Sequence, residues 1–233
     1  MPFARRKAQP PQPIDPADWR PQAMGTGRGR SVADPIIEPN WSGVRVLARV
    51  ARGTGGTISA TFTDEAGLDA TEEFAELAGA VADAALVDDL VLDGYLTVQP
   101  TQDTVGTAVS LPKSLTGAQL MAQMVGGSHS SRPEPAPRLD PERPIAFVAI
   151  DLLSIDGSSL IDISLLERKR LLDGALAVGE LVRITPYVRP PVGSLLATWH
   201  ALGFRELVYK PANSRYLPTG EPGDWALWPI INR

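Results

Sequence analysis

The chain of 233 residues contains no cysteine. That excludes disulfides, iron–sulfur clusters and thiolate zinc sites. Histidine is almost as scarce: His129 and His200 are the only two, too few for a histidine-rich metal centre. No apolar run approaches the roughly 20 residues of a membrane span. The opening MPFARRKAQPPQP turns polar and proline-rich where a signal peptide would place its apolar stretch, so a cytoplasmic protein is expected. Lysine is rare as well. Of the 22 basic residues only Lys7, Lys113, Lys169 and Lys210 are lysines, and chemistry that needs a lysine nucleophile must use one of them.

What remains is ordinary globular material. A hydrophobic fraction of 43% supplies a real core and is too high for a chain disordered throughout. The net charge of -5 is unevenly distributed. Residues 1–30 carry six basic and two acidic side chains, whereas residues 64–93 carry ten acidic and no basic ones. The basic arm suits a polyanion or a solvated tail, and the acidic stretch disfavours a polyanion on its own face. Pro10, Pro11, Pro13 and Pro16 interrupt the arm. A second proline-rich stretch, Gly126 to Pro144, reads as part of a mobile insertion spanning about 99–144.

The structured parts mix strands and helices. In VRVLARV, residues 44–50, Val44, Val46, Ala48 and Val50 share one strand face, and Arg45, Leu47 and Arg49 share the other. TISATF follows as a second strand. Asp69 and Glu72 form a capping box for a helix presenting Phe74, Leu77, Val81 and Ala84. Residues 90–98 read as a strand broken by a turn at Asp93–Gly94, and residues 145–153 as a buried strand. Ser164 and Glu167 form a second capping box, opening a helix with Leu165, Leu166, Leu171, Leu172 and Leu176. A short helix is expected at 194–201, and strands at 206–210 and 224–230. Strands and helices do not alternate regularly, which predicts an α+β fold with antiparallel sheets flanked by helices.

No single motif is specific, but order and spacing are informative. Seven segments follow one another: EPNWSGVRVLARV, LVLDGYL, FVAIDLLSIDGSSL, ERKRLL, ELVYK, SRY and DWALW. Together they resemble the adenylation (nucleotidyltransferase) domain of ATP-dependent DNA ligases across residues 35–229. The resemblance implies a 1–34 arm ahead of that domain, and the C-terminal OB-fold barrel of the ligases is not expected. In the family a lysine attacks the α-phosphate of ATP, and the AMP passes to a DNA 5′-phosphate. This requires a lysine of lowered pKa and cationic groups with a divalent metal on the phosphates.

Carried over by position, the family lysine falls on Asn40, whose amide nitrogen is no nucleophile. The aspartate two residues later falls on Ser42; Gly43 and Arg45 are retained. A family arginine falls near Glu65. Asp93 and Gly94 are retained, but the following glutamate becomes Tyr95. The adenine-stacking aromatic becomes Ile150, beside a retained Asp151. The glutamate–glycine pair becomes Arg205 and Glu206, and Lys210 is retained. The lysines of the last strand become Leu227 and Pro229, beside a retained Trp225.

The positions that touch nucleotide have changed chemistry while those that build the fold persist. The resemblance therefore implies a degenerate ligase-like domain with no catalytic residue and no metal site, acting as a binding or scaffold protein in DNA repair. The possible partners are DNA, through the basic arm, or a repair protein, and no cofactor is expected. An active DNA ligase or nucleotidyltransferase using ATP and Mg with Lys210 as nucleophile, or a nucleotide sensor, is the alternative. Arg45 and Arg49 read either as phosphate ligands or as the charged face of an edge strand. Asp93 and Asp151 read as turn residues, and Trp225 and Trp228 as core aromatics rather than a stacking platform.

Overall fold

The computed structural model describes residues 14–25, 27, 29–98 and 145–230. The expected insertion at 99–144 and the first 13 residues of the arm lie outside them.

Alternating apolar residues build the larger sheet. Strands β2 (Val44–Arg52), β3 (Ile58–Asp64), β4 (Asp89–Val98), β5 (Ile145–Ile155) and β6 (Ser158–Ser159) pair antiparallel in the order β3-β2-β4-β5-β6. Strand β7 (Val182–Ile184) pairs parallel with β5. A three-stranded sheet, β1-β8-β9, combines β1 (Pro35–Pro39), β8 (Glu206–Pro211) and β9 (Ala226–Pro229). Successive strand residues face opposite sides, so β2 presents Val44, Val46, Ala48 and Val50 to one core and Leu47 to another. Because β2 lies between β3 and β4, Arg45 and Arg49 belong to an interior strand, not to an edge.

Helices α1 (Ala75–Ala84) and α2 (Leu165–Ala175) cover the first face. Phe74, Leu77, Val81 and Leu172 meet Phe62, Leu92, Phe147 and Leu152 there. Burying each such side chain contributes roughly 1.5–3 kcal/mol. Helix α3 (Gly193–Ala201) brings Trp199 against Ile37 and Leu207 of the smaller sheet. The second face of the large sheet meets the small sheet through Leu47, Tyr95, Val148, Ile150, Val208, Tyr216 and Trp225.

Three local expectations are corrected. Strand β4 runs unbroken through Asp93–Gly94; a register shift against β5 absorbs the irregularity as a bulge. Gly94 is needed for close approach, since a Cβ there would stand 2.5 Å from the Phe147 ring and 2.6 Å from the Val148 carbonyl. Asp69 does not cap a helix directly: its side chain accepts from the Thr71 amide at 2.8 Å, and a short 3-10 turn, Glu72–Phe74, precedes α1. Ser164 does hold the N-cap position of α2, but its carbonyl rather than its side chain accepts from Glu167 and Arg168.

The arm also departs from expectation over its described half. Residues 19–25 run alongside 216–225, with parallel bridges Arg20–Thr219 and Ala23–Pro222. Trp19 is 1% exposed and Gln22 is fully buried. The buried Trp19 indole and Gln22, bonded through its backbone N–H, its backbone carbonyl and its side-chain oxygen, outweigh the polar, proline-rich character that suggests a free tail.

Candidate functional site between the two sheets

The interior between the sheets is aromatic but threaded with charge. Arg45, carried inward by β2, forms a fork with Asp93 of β4, Nε to Oδ1 at 3.0 Å and Nη2 to Oδ2 at 2.7 Å. Its third donor reaches the Gln22 carbonyl at 2.6 Å. The Tyr216 hydroxyl donates to Asp93 Oδ2 at 2.7 Å and accepts from the Gln22 amide at 2.9 Å. Burial opposes charge on Arg45, but Asp93 and the two tyrosines more than offset it and hold the guanidinium protonated. The fork fixes both groups in plane, the geometry guanidinium and carboxylate favour.

A second fork links Arg168 of α2 to Asp151 of β5 at 2.9 and 2.7 Å. Asp93 and Asp151 are therefore buried strand residues with dedicated arginine partners, not turn residues. A third group centres on Glu38 of β1. Its two oxygens face Lys169 Nζ at 2.5 Å and Lys210 Nζ at 2.7 Å. Lys169 also donates to the Ile150 carbonyl at 2.6 Å. Lys210 is 1% exposed and its ammonium lies 4.0 Å from the centroid of the Trp225 ring. Burial, with Lys169 nearby, lowers the Lys210 pKa to about 8 against the opposing pull of Glu38.

Of the residues singled out in the sequence, Arg45, Asp93, Tyr95, Ile150, Lys210, Trp225 and Leu227 converge on this interior. Tyr95 is 8% exposed, and burial pushes its hydroxyl up to about 12. Its ring lies 5.8 Å from the Arg45 guanidinium carbon. Ile150 is 2% exposed, and Leu227 packs against the same cluster. Asn40 and Ser42 lie instead in the half-buried connection between β1 and β2. Asn40 donates its side-chain amide to Glu206 at 2.9 Å, and its backbone N–H to the Glu206 carbonyl at 3.0 Å. Gly43 beside it has φ +131, and a side chain there would run into the Leu96 carbonyl. Glu65 stands at the rim past β3; partial desolvation raises its pKa while Arg45 opposes. Arg205 and Pro229 are exposed and outside the cluster.

Sequence reasoning passed over Glu38, Arg168, Lys169, Gln22 and Trp19. A signal existed for Lys169: Leu165, Lys169 and Leu172 fall at helical spacing on one stripe, the stripe that α2 buries. Glu38 carried no such mark, because its two lysines arrive from positions 169 and 210. Among the described residues no three His, Asp or Glu side chains gather as a metal site. No described helix is long and apolar enough to cross a membrane.

No family model matches the chain, and no curated protein sequence matches it. Solved structures do. The ligase domain of M. tuberculosis LigD superposes with a TM-score of 0.63 at 20% identity, over 92% of this chain and 60% of that one. Mycobacterial DNA ligase D complexed with ATP and MES gives a TM-score of 0.63 at 20% identity, over 92% and 61%. The chain thus spans about three fifths of the length of these neighbours. It has the α+β fold of the DNA ligase adenylation domain.

Proposed function

We propose that this domain is a catalytically silent member of the ligase fold, serving as a binding or scaffold unit associated with DNA repair. The observation that carries the reading is the pairing of Asn40 with Glu206 at 2.9 Å. By resemblance, Asn40 stands at the family's lysine and Glu206 at its glycine. The two altered positions satisfy each other, and no amine is left there to attack a phosphate.

The surroundings support the same reading. Tyr95, Ile150 and Leu227, all at positions expected to touch nucleotide, pack into the apolar cluster between the sheets. Lys210 is tied to Glu38 and covered by Trp225. ATP with magnesium is disfavoured by the side chains present: Arg45, Arg168, Lys169 and Lys210 already pair with internal carboxylates, and no carboxylate group gathers for a metal among the described residues. DNA or a repair protein is the proposed partner.

One observation favours the alternative, a nucleotidyltransferase using Lys210. A pKa lowered to about 8 puts a useful fraction of free amine at neutral pH. Incubation with labelled ATP and magnesium separates the two. Silence predicts no protein–AMP adduct, in the native chain or in Asn40→Lys, where Glu206 would pair with the new lysine. An adduct in the native chain that is lost in Lys210→Ala supports the alternative.

A further inference from the structure

Residues 19–25 lie along the loop after β8 and bond mainly to it. The Arg20 N–H donates to the Pro218 carbonyl at 2.7 Å, the Ala23 N–H to the Glu221 carbonyl at 3.2 Å and the Gly25 N–H to the Trp225 carbonyl at 2.7 Å. The Gly223 N–H returns a bond to the Ala23 carbonyl at 3.1 Å. Gln22 donates its backbone N–H to the Tyr216 hydroxyl at 2.9 Å, and its side-chain oxygen accepts from the Leu217 N–H at 2.8 Å. The fit is close. A side chain at Gly25 would run into the Gly223 carbonyl, and one at Gly223 into Gln22.

Toward the large sheet the segment is held by Trp19 and Met24, which pack in the cluster that holds Tyr95, Ile150 and Trp225. The Gln22 carbonyl accepts from Arg45 Nη1 at 2.6 Å. Its pairing with the loop consists of isolated parallel bridges, Arg20–Thr219 and Ala23–Pro222, not a continuous ladder. Residues 14–18 before it are exposed. Gly25, Gly27 and Gly29 end it at alternate positions, where glycine lets the chain change direction at little steric cost. A segment bounded in this way and bonded to a loop belongs to the low-stability end of a fold. Backbone bonds for affinity, with side chains in pockets for specificity, are also how an added extended peptide is recognised.

We propose that residues 216–225, Arg45 and the aromatic cluster beneath them form a peptide seat, and that residues 19–25 are its built-in occupant, able to leave it while the two sheets stay folded. The partner chemistry is an extended peptide that presents an indole and, three residues later, a carboxamide, as Trp19 and Gln22 do. Covalent attachment gives the chain's own segment a high effective concentration, so a second peptide enters only when the internal contact is weakened. The seat does not rest on whether the domain adenylates.

Two measurements on the full chain test this. In native-state hydrogen exchange, the amides of Arg20, Gln22, Ala23 and Gly25 should open together and exchange about tenfold or more faster than those of β2, which lies between β3 and β4. This needs no variant. In the second, full-length Trp19→Ala is unfolded by heat with a synthetic peptide of residues 14–25 or, as control, the same peptide carrying Trp19→Ala. The native peptide should raise the unfolding midpoint as its concentration rises, by mass action, and the control peptide should not. Gln22→Ala, in chain and control peptide, serves if Trp19→Ala does not fold. Exchange of the segment's amides at the rate of β2, or equal midpoints with the two peptides, overturns the proposal.

Discussion

The two faces of the six-stranded sheet share their strands but not their chemistry. Under α1 and α2, Phe62, Leu92, Phe147, Leu152 and Val81 form an apolar layer. Toward the small sheet, the same strands carry Arg45, Asp93 and Asp151 into an interior of tryptophan and tyrosine. The first face follows from the hydrophobic effect alone. The second does not, because buried ion pairs often stabilise no better than well-packed apolar residues of the same size. What charge contributes there is geometry: Asp93 and Asp151 each accept a fork, each cation has an assigned place, and four segments distant in sequence are fixed together. The Arg45–Asp93–Tyr216–Gln22 chain joins the arm, β2, β4 and the loop after β8 in one hydrogen-bonded unit.

The comparison can be broken most sharply at Asp93. Asp93→Ala leaves Arg45 buried without its carboxylate and is expected to cost about 3–5 kcal/mol in urea unfolding. The double replacement Arg45→Met with Asp93→Leu should cost clearly less than the single one. If the double change were the worse, the ion pair would be a net source of stability and the contrast between the faces would fail. On the helix-covered face, Leu92→Ala should cost about 2–5 kcal/mol, with no comparable rescue by a partner change.

Lys210 gives a smaller effect with a definite sign. Its folded pKa of about 8 lies below the ordinary lysine value of 10.5. Between those values the unfolded chain holds a proton that the folded chain has lost, so stability rises with pH across that window. Below about pH 8 both states are protonated and the burial penalty is fully felt. Lys210→Met should flatten this rise in pH-dependent unfolding; an unchanged slope would assign the titration elsewhere. The smallest effect belongs to the exposed pair Arg52–Asp88, 45% and 57% exposed. Arg52→Ala should leave the unfolding midpoint unchanged within measurement.

The same contrast explains what the sequence discloses. The apolar face was legible because its signal is local: alternation in VRVLARV and helical spacing from Phe74 to Ala84 require only neighbouring residues. The charged interior was legible only where a resemblance pointed to it, as for Arg45, Asp93 and Lys210. Arg45 alone reads as a surface residue, because its partner lies 48 positions away and Gln22 lies in a segment that reads as a tail. Asp93–Gly94 reads as a turn from local preference, and strand pairing on both sides overrides it. Asn40 stood out only through the resemblance, and its pairing with Glu206 depends on β1 lying beside β8, which only the fold discloses.

The central claim is that a ligase fold here carries no nucleotidyl-transfer chemistry. Its most direct test is incubation of the full chain with α-labelled ATP and magnesium, followed by denaturing separation. The account predicts no label on the protein at any pH from 7 to beyond the Lys210 value of about 8. A stable, acid-labile protein–AMP adduct, abolished by Lys210→Ala, would contradict it.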